Sequence, residues 1–248
     1  MGKVNFTCEI LKINNMPKNR GKEGKDDKLF GQDFMQRKIK EAVFDMSFLL
    51  ERGYGEFSSC ELVGNRYKLN KRQQQAIKGM AAGATAVKNR TEKKLPQDQL
   101  ANKEVIIDGF NQIILLESML SEAYLFQGKD GAYRDLSSLH GTYKSVNQTE
   151  EALQIIGTFL QEQKVSKVTW IFDKPVSNSG RMKTKLEAYA AEQDYHWEIQ
   201  LENNPDKIIA KSQSIAITSD AWILDRVNYW FNLVEALLSK NYPCLITG

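Results

Sequence analysis

Three carboxylates stand at the ends of apolar runs. Asp108 closes Val105-Ile106-Ile107, Asp173 closes Val168-Thr169-Trp170-Ile171-Phe172, and Asp220 closes Ser214-Ile215-Ala216-Ile217-Thr218-Ser219. Runs rich in β-branched residues read as buried strands, and ligands of an open parallel sheet bind beyond the carboxyl ends of its strands. Three strands that each deliver an acid to that edge imply one shared acidic cluster. Carboxylates gathered without histidines suit hard cations such as Mg²⁺ and Mn²⁺, which complete their shells with water and substrate phosphate. Ions so held can activate water and stabilise the leaving oxygen in phosphodiester cleavage. Without a cation the acids would raise one another's pKa values. The competing reading of any one strand-Asp-Gly unit is local: the acid caps the next helix and the glycine makes the turn.

The elements that must position these acids alternate along residues 104–248. After the Asp108 strand comes an apolar helix from about Asn111 to Phe126, then a glycine-punctuated loop and an irregular stretch from Tyr133 to Val146. A helix begins at Asn147 or Thr149 with Leu153, Ile156, Gly157 and Leu160 inward. The Asp173 strand, a polar loop over 174–181 and a helix to about Gln193 follow. Next come a strand from His196 to Leu201, a short helix starting at Asn203-Asn204-Pro205-Asp206, the Asp220 strand and an amphipathic helix to Leu238. Tyr242 to Thr247 offers a last strand. Right-handed crossovers would fold this alternation into a parallel sheet of about five strands sandwiched by helices.

The preceding part differs in composition. Residues 1–30 are polar and expected to be mobile over much of 14–28, with a short strand at 4–11. Residues 31–84 read as a small all-helical domain. Ile39, Ala42, Val43, Met46, Leu49 and Leu50 recur at helical spacing, a short helix spans Ser58 to Val63, and Asn70 caps a third from Lys71 to about Ala82. The arrangement is helix-turn-helix-like, and Lys71, Arg72 and Lys78 on its last helix are candidate nucleic-acid contacts; the competing reading is a solvated Lys/Gln-rich face. Residues 85–103, basic and carrying Pro96, read as a linker.

Charge divides the same way. The chain of 248 residues has a net charge of +3, yet residues 1–100 hold 20 Lys/Arg against 12 Asp/Glu and the rest 14 against 19. A basic module joined to an acidic one suits a nucleic-acid grip attached to a cation site. No apolar run reaches the roughly 20 residues of a membrane span, and the N-terminus lacks a signal-peptide core, so the expected location is cytoplasmic. Cys8, Cys60 and Cys244 are odd in number and unpaired in spacing, and His140 and His196 lack metal-ligand partners, which argues against disulfides and a zinc site.

Ile107-Asp108-Gly109-Phe110-Asn111 resembles the opening Asp-Gly-x-Asn strand of the PIN-like nucleases, in particular their NYN branch. The resemblance continues through Phe172-Asp173, Asn204-Pro205-Asp206-Lys207-Ile208-Ile209 and Thr218-Ser219-Asp220-Ala221-Trp222-Ile223-Leu224-Asp225. It covers about residues 103–248 and implies an Mg²⁺- or Mn²⁺-dependent endoribonuclease acting on single-stranded or structured RNA. It implies that Asp108, Asp173, Asp206 and Asp220 hold the metal, with Asp225 a further candidate. Asn111 would orient Asp108 or touch substrate, and Ser219 would support Asp220. The chain departs from the family where paired acids give way to Pro205-Asp206, and where Trp222 replaces a further acid. The N-terminal part resembles a helical domain that accompanies such nucleases, which implies nothing about mechanism.

Basic residues around the acids complete the candidate set. Lys174, Arg181 and Lys183 follow the Asp173 strand, and their Ser/Asn/Gly loop is either a phosphate seat at a helix N-terminus or an ordinary capped loop. Arg134 and Lys144 are candidates for the substrate cleft, with His140 read as structural. Two other functions stay open. One is a non-catalytic RNA-binding adaptor with a degenerate nuclease domain, which a lysine such as Lys207 bridging into the acids would favour. The other is a small-molecule phosphohydrolase, disfavoured by the lack of a Gly-x-Gly-x-x-Gly or Walker A loop. Homodimerisation is also open.

Overall fold

The structure is a computed structural model that describes residues 20–137 and 142–248. The strand expected at 4–11, Cys8 and His140 lie outside the described residues.

The N-terminal part contains α1 (Asp26–Phe30), α2 (Asp33–Glu51), α3 (Glu56–Arg66), α4 (Lys71–Met80) and α5 (Ala84–Lys93). Helix α2 buries Ile39, Ala42, Val43 and Met46 on one face, at the three- and four-residue spacing of an amphipathic helix. Helix α4 begins with a capping box: the Asn70 side chain accepts from the Gln73 amide while the Gln73 side chain accepts from the Asn70 amide. Residues 20–30, expected to be mobile along with the rest of 1–30, are instead fastened. Phe30 is fully buried, and the Arg72 guanidinium forks onto buried Asp26 at 2.7 and 2.8 Å.

The C-terminal part contains β1 (Glu104–Asp108), α6 (Gly109–Leu120), β2 (Leu125–Gln127), β3 (Tyr133–Arg134), α7 (Thr149–Glu162), β4 (Lys167–Asp173) and α8 (Ser179–Glu192). It continues through β5 (Trp197–Glu202), α9 (Pro205–Lys211), β6 (Ile215–Ile217), α10 (Ala221–Leu224), α11 (Leu233–Leu237) and β7 (Leu245–Thr247). Four strands form a parallel sheet in the order β5-β4-β1-β6. Side chains alternate across it with period two. Val105, Ile107, Trp170 and Phe172 enter a core with α6 and α7, whereas Ile106, Ile171 and Ala216 enter a second with Ile209, Ile223 and Trp230. Covering both faces is what permits an all-parallel sheet of uninterrupted apolar strands.

The expected fifth strand is elsewhere. β7 pairs parallel with β2, and β2 antiparallel with β3, in a separate sheet. The second sheet joins the two parts: Phe126 and Ile246 sit in one core with Phe30, Ile39, Met46, Ile77 and Met80. The helical part therefore completes its core with strands from the C-terminal part rather than standing as an all-helical unit. The helix expected through Phe126 stops at Leu120, because Leu125 and Phe126 serve two cores on opposite faces of a strand. The helix expected from 221 to 238 is split into α10 and α11, since the intervening Trp230 bridges to Ala216 and Lys94. The expected linker contains α5, whose Arg90 is buried. Among the described residues no helix is long and apolar enough to cross a membrane.

Gly109 has a packing reason. A Cβ there would lie 2.4 Å from the Phe172 ring, so the residue after Asp108 must be glycine for β4 and α6 to meet.

Candidate metal centre at the acidic edge

Adjacent parallel strands end at the same edge, so register brings their terminal residues together. Asp108 ends β1, paired across from Ile171, and Asp173 ends β4 two residues further on. Asp220 follows β6 on the other side of β1, and Asp206 lies in the first turn of α9, behind Pro205 at the helix start. Asp108 is buried and makes no capping bond to α6, which removes the local reading for that residue. Asp220 does cap: its carboxylate accepts from the Ile223 amide at 3.0 Å.

The four acids feel one another. Burial, followed by the negative charges of Asp220, Asp206 and Asp173, pushes Asp108 up to about 8. Burial and Asp206 raise Asp173, and burial and Asp220 raise Asp206. Among the described residues none of the four is ion-paired with a Lys or Arg, Lys207 included.

Thr218 is the residue that sequence reasoning misses. Its hydroxyl donates to Asp108 Oδ2 at 2.8 Å and accepts from the Asp220 amide at 3.1 Å, tying the two acids together. Ser219 does not support Asp220 through its hydroxyl as expected. That hydroxyl donates to Asn111 Oδ1 at 2.9 Å, which also accepts from the Ser219 amide at 3.0 Å. Asn111 thus anchors the Ser219 backbone and makes no bond to Asp108.

Two expected site residues are drawn into a charge network around buried Arg90 and Asp130. Arg90 holds Asp225 through two hydrogen bonds, at 2.7 and 3.0 Å, so Asp225 is neutralised rather than presented to the cluster. Arg90 and Arg134 both bond Asp130 at 2.7 Å. Burial alone would raise Asp130, but those guanidinium groups outweigh it and hold the carboxyl below its usual range. Arg134 also donates to the Ser219 carbonyl at 3.0 Å, so it braces the site backbone.

The remaining candidates separate clearly. Lys174, Arg181 and Lys144 are exposed and carry no ion pair among the described residues, whereas Lys183 faces Glu187 at 3.6 Å. In the helical part, Lys71 is exposed, Lys78 pairs with Glu56 at 2.9 Å, and Arg72 is consumed by Asp26 and Glu23, which removes it as a nucleic-acid contact. A cleft of about 1050 Å³ lies between the two parts of the chain. Asn111, Ser219, Asp220 and Trp222 line one wall and Leu50 and Lys78 the other, so the cleft meets the acids at Asp220.

The donor set has the chemistry of a hard-cation site: four carboxylates, with hydroxyls beside them and no sulfur or imidazole. Among the described residues no group of three or more His, Cys, Asp or Glu side chains is placed to hold a metal ion. Mg²⁺ needs none, because it is commonly held by one or two carboxylates and completed by water and phosphate.

The fold and edge define a two-part α/β protein with an acidic cluster beside an interdomain cleft. Residues 97–236 match the family described as "Domain of unknown function (DUF5616)", more than half of the chain, and the protein belongs to that family. Residues 38–93 match "Protein of unknown function (DUF434)". The chain is similar to Uncharacterized protein MJ0935 of Methanocaldococcus jannaschii, at 26% identity over 190 residues, covering 73% of this chain and 90% of the relative. No solved structure matches the chain.

Proposed function

We propose that the protein is a PIN-like, NYN-type endoribonuclease that hydrolyses RNA phosphodiesters with Mg²⁺ or Mn²⁺ at Asp108, Asp173, Asp206 and Asp220. The observation that carries this reading is Asp108, buried at the end of β1 beside Asp173, Asp206 and Asp220, none of the four ion-paired with a Lys or Arg among the described residues. Keeping a carboxylate at neutral pH in such a place calls for a cation supplied from outside the chain.

Asp108 and Asp220 would hold the ion, and Asp173 and Asp206 would complete its charge balance. When bound, the metal supplies a lowered water pKa and charge for the phosphodiester oxygens. The chain's own residues do the positioning. Thr218 fixes the Asp108 carboxylate, and Asn111 and Arg134 fix the Ser219 backbone next to Asp220. Lys174, Arg181 and Lys144, exposed and without an ion pair among the described residues, would contact substrate phosphates, in keeping with phosphate contacts that position rather than specify.

The second reading is a non-catalytic RNA-binding adaptor. It is favoured by the open spacing of the acids and by the loss of Asp225 to Arg90. Labelled RNAs and single-stranded DNA incubated with Mn²⁺, Mg²⁺ or EDTA separate the two. Metal-dependent cutting abolished in both Asp108→Asn and Asp220→Asn supports the nuclease. RNA binding without cutting, insensitive to EDTA, supports the adaptor, and cutting retained by both variants overturns the assigned centre.

A further inference from the structure

Helix α2 buries one face, and its opposite face carries a second stripe that the fold leaves uncovered. Phe34, Arg37, Glu41, Phe44, Phe48 and Arg52 follow one another at three- and four-residue steps, so they share one side of the helix. Phe34, Phe44 and Phe48 are each more than half exposed, and Phe57, just past the turn into α3, is 82% exposed. Phenylalanine on the solvent side of a helix whose core face is already satisfied stabilises nothing within the fold; contiguous exposed apolar surface of this kind marks a binding site.

The chemistry around the rings narrows the partner. The Arg52 guanidinium lies 4.5 Å from the Phe48 ring centre and the Lys129 ammonium 6.0 Å from that of Phe44. Arg37, Lys38, Lys40, Arg52 and Lys129 are free of ion pairs among the described residues, while the acids nearby are Asp33, Glu41, Asp45, Glu51 and Glu56; Asp45 is held by Arg66 and Tyr67, Glu51 by Thr85 and Glu56 by Lys78. Flat exposed rings alternating with unpaired cations complement a polyanion that carries stackable bases. A two-fold copy of the same face would set like charges against each other, which disfavours self-association. The stripe also adjoins the cleft: Glu51 and Glu56, which line it, flank Arg52 and Phe57 in sequence.

We propose that this face of α2 docks single-stranded nucleic acid, with bases stacked on Phe44 and Phe48 and phosphates held by Arg37, Lys40, Arg52 and Lys129. The inference rests on the proposed RNA substrate but not on hydrolysis at the acids. It places the grip of the helical part on α2, and not on α4, where Arg72 is already committed.

The test is fluorescence anisotropy in EDTA with short fluorescein-labelled single-stranded RNA and DNA. Wild type binds either strand by this account, and the preferred arm identifies the natural polymer. Phe44→Ala with Phe48→Ala weakens binding about tenfold or more while leaving the melting temperature unchanged, because both rings are exposed. Phe44→Leu with Phe48→Leu, which keeps apolar area without a π face, binds as weakly as the alanine pair, whereas the tryptophan pair restores affinity. Binding by the leucine pair equal to wild type, or no binding of either strand by wild type, overturns the proposal. So does a dimer that the alanine pair dissociates, or capture by anionic phosphatidylserine vesicles in place of oligonucleotide. Phe-dependent binding in EDTA together with no cutting of the same strands in Mn²⁺ or Mg²⁺ would remove the nuclease reading and leave this surface standing.

Discussion

Thr218 and Asp108 are joined by a 2.8 Å hydrogen bond between the ends of two neighbouring parallel strands, and the same threonine oxygen receives the Asp220 amide. One hydroxyl therefore ties the Asp108 carboxylate to the backbone that carries Asp220. It is also the contact that opposes the upward push of burial and like charge on Asp108.

Replacing Thr218 by valine keeps the shape of the strand and removes that donor. Asp108 then rises further, so the acid limb of the pH–rate profile for cleavage shifts to higher pH. Unfolding stability falls by about 1 kcal/mol for the lost hydrogen bond. A pH–rate profile superimposable on wild type would show that Thr218 does not govern Asp108.

Asp108 makes a specific statement about pH and stability. Its folded value of about 8 lies above the ordinary 3.8, so between those values the folded chain retains a proton that the unfolded chain has released. Stability from this group is complete below about pH 4 and declines as pH rises towards 8. Asp108→Asn has no charge to bury, and its advantage over wild type in metal-free urea denaturation should grow across that window to at most about 6 kcal/mol. An advantage that stays constant with pH would contradict the assignment.

Arg90 lies between Asp130, which is buried, and Asp225, which is exposed, and connects α5 to the C-terminal part. Arg90→Ala leaves Asp130 with Arg134 alone and should cost about 3–5 kcal/mol in chemical denaturation, the range for breaking a buried pair. Arg90→Lys should recover little, since one ammonium cannot reproduce a fork that bonds two carboxylates. A loss below about 1 kcal/mol would mean the network behaves as a surface pair.

The acids at 108, 173 and 220 are legible in the sequence because each ends a β-branched run, and strand period and edge position follow from that pattern alone. The Asn70 cap and the buried face of α2 are legible for the same reason: the signal is local. What escapes is long-range. Asp225 looks like a ligand until Arg90, 135 residues away, is seen to hold it. Arg72 looks like a nucleic-acid contact until its guanidinium is seen to fork onto Asp26. The second sheet is built of strands two and three residues long, too short for any periodicity. The role of Thr218 is hidden because a β-branched residue at a strand end reads as strand.

The most direct test of the acidic edge as a cation site is Mn²⁺ titration by calorimetry in buffers of different ionisation enthalpy near pH 7. With Asp108 at about 8, metal uptake must expel its proton. The account predicts that wild type binds Mn²⁺ with release of close to one proton, that Asp108→Asn releases none, and that Asp220→Asn binds more weakly. No Mn²⁺ uptake by wild type, or uptake unchanged in both variants, would contradict it.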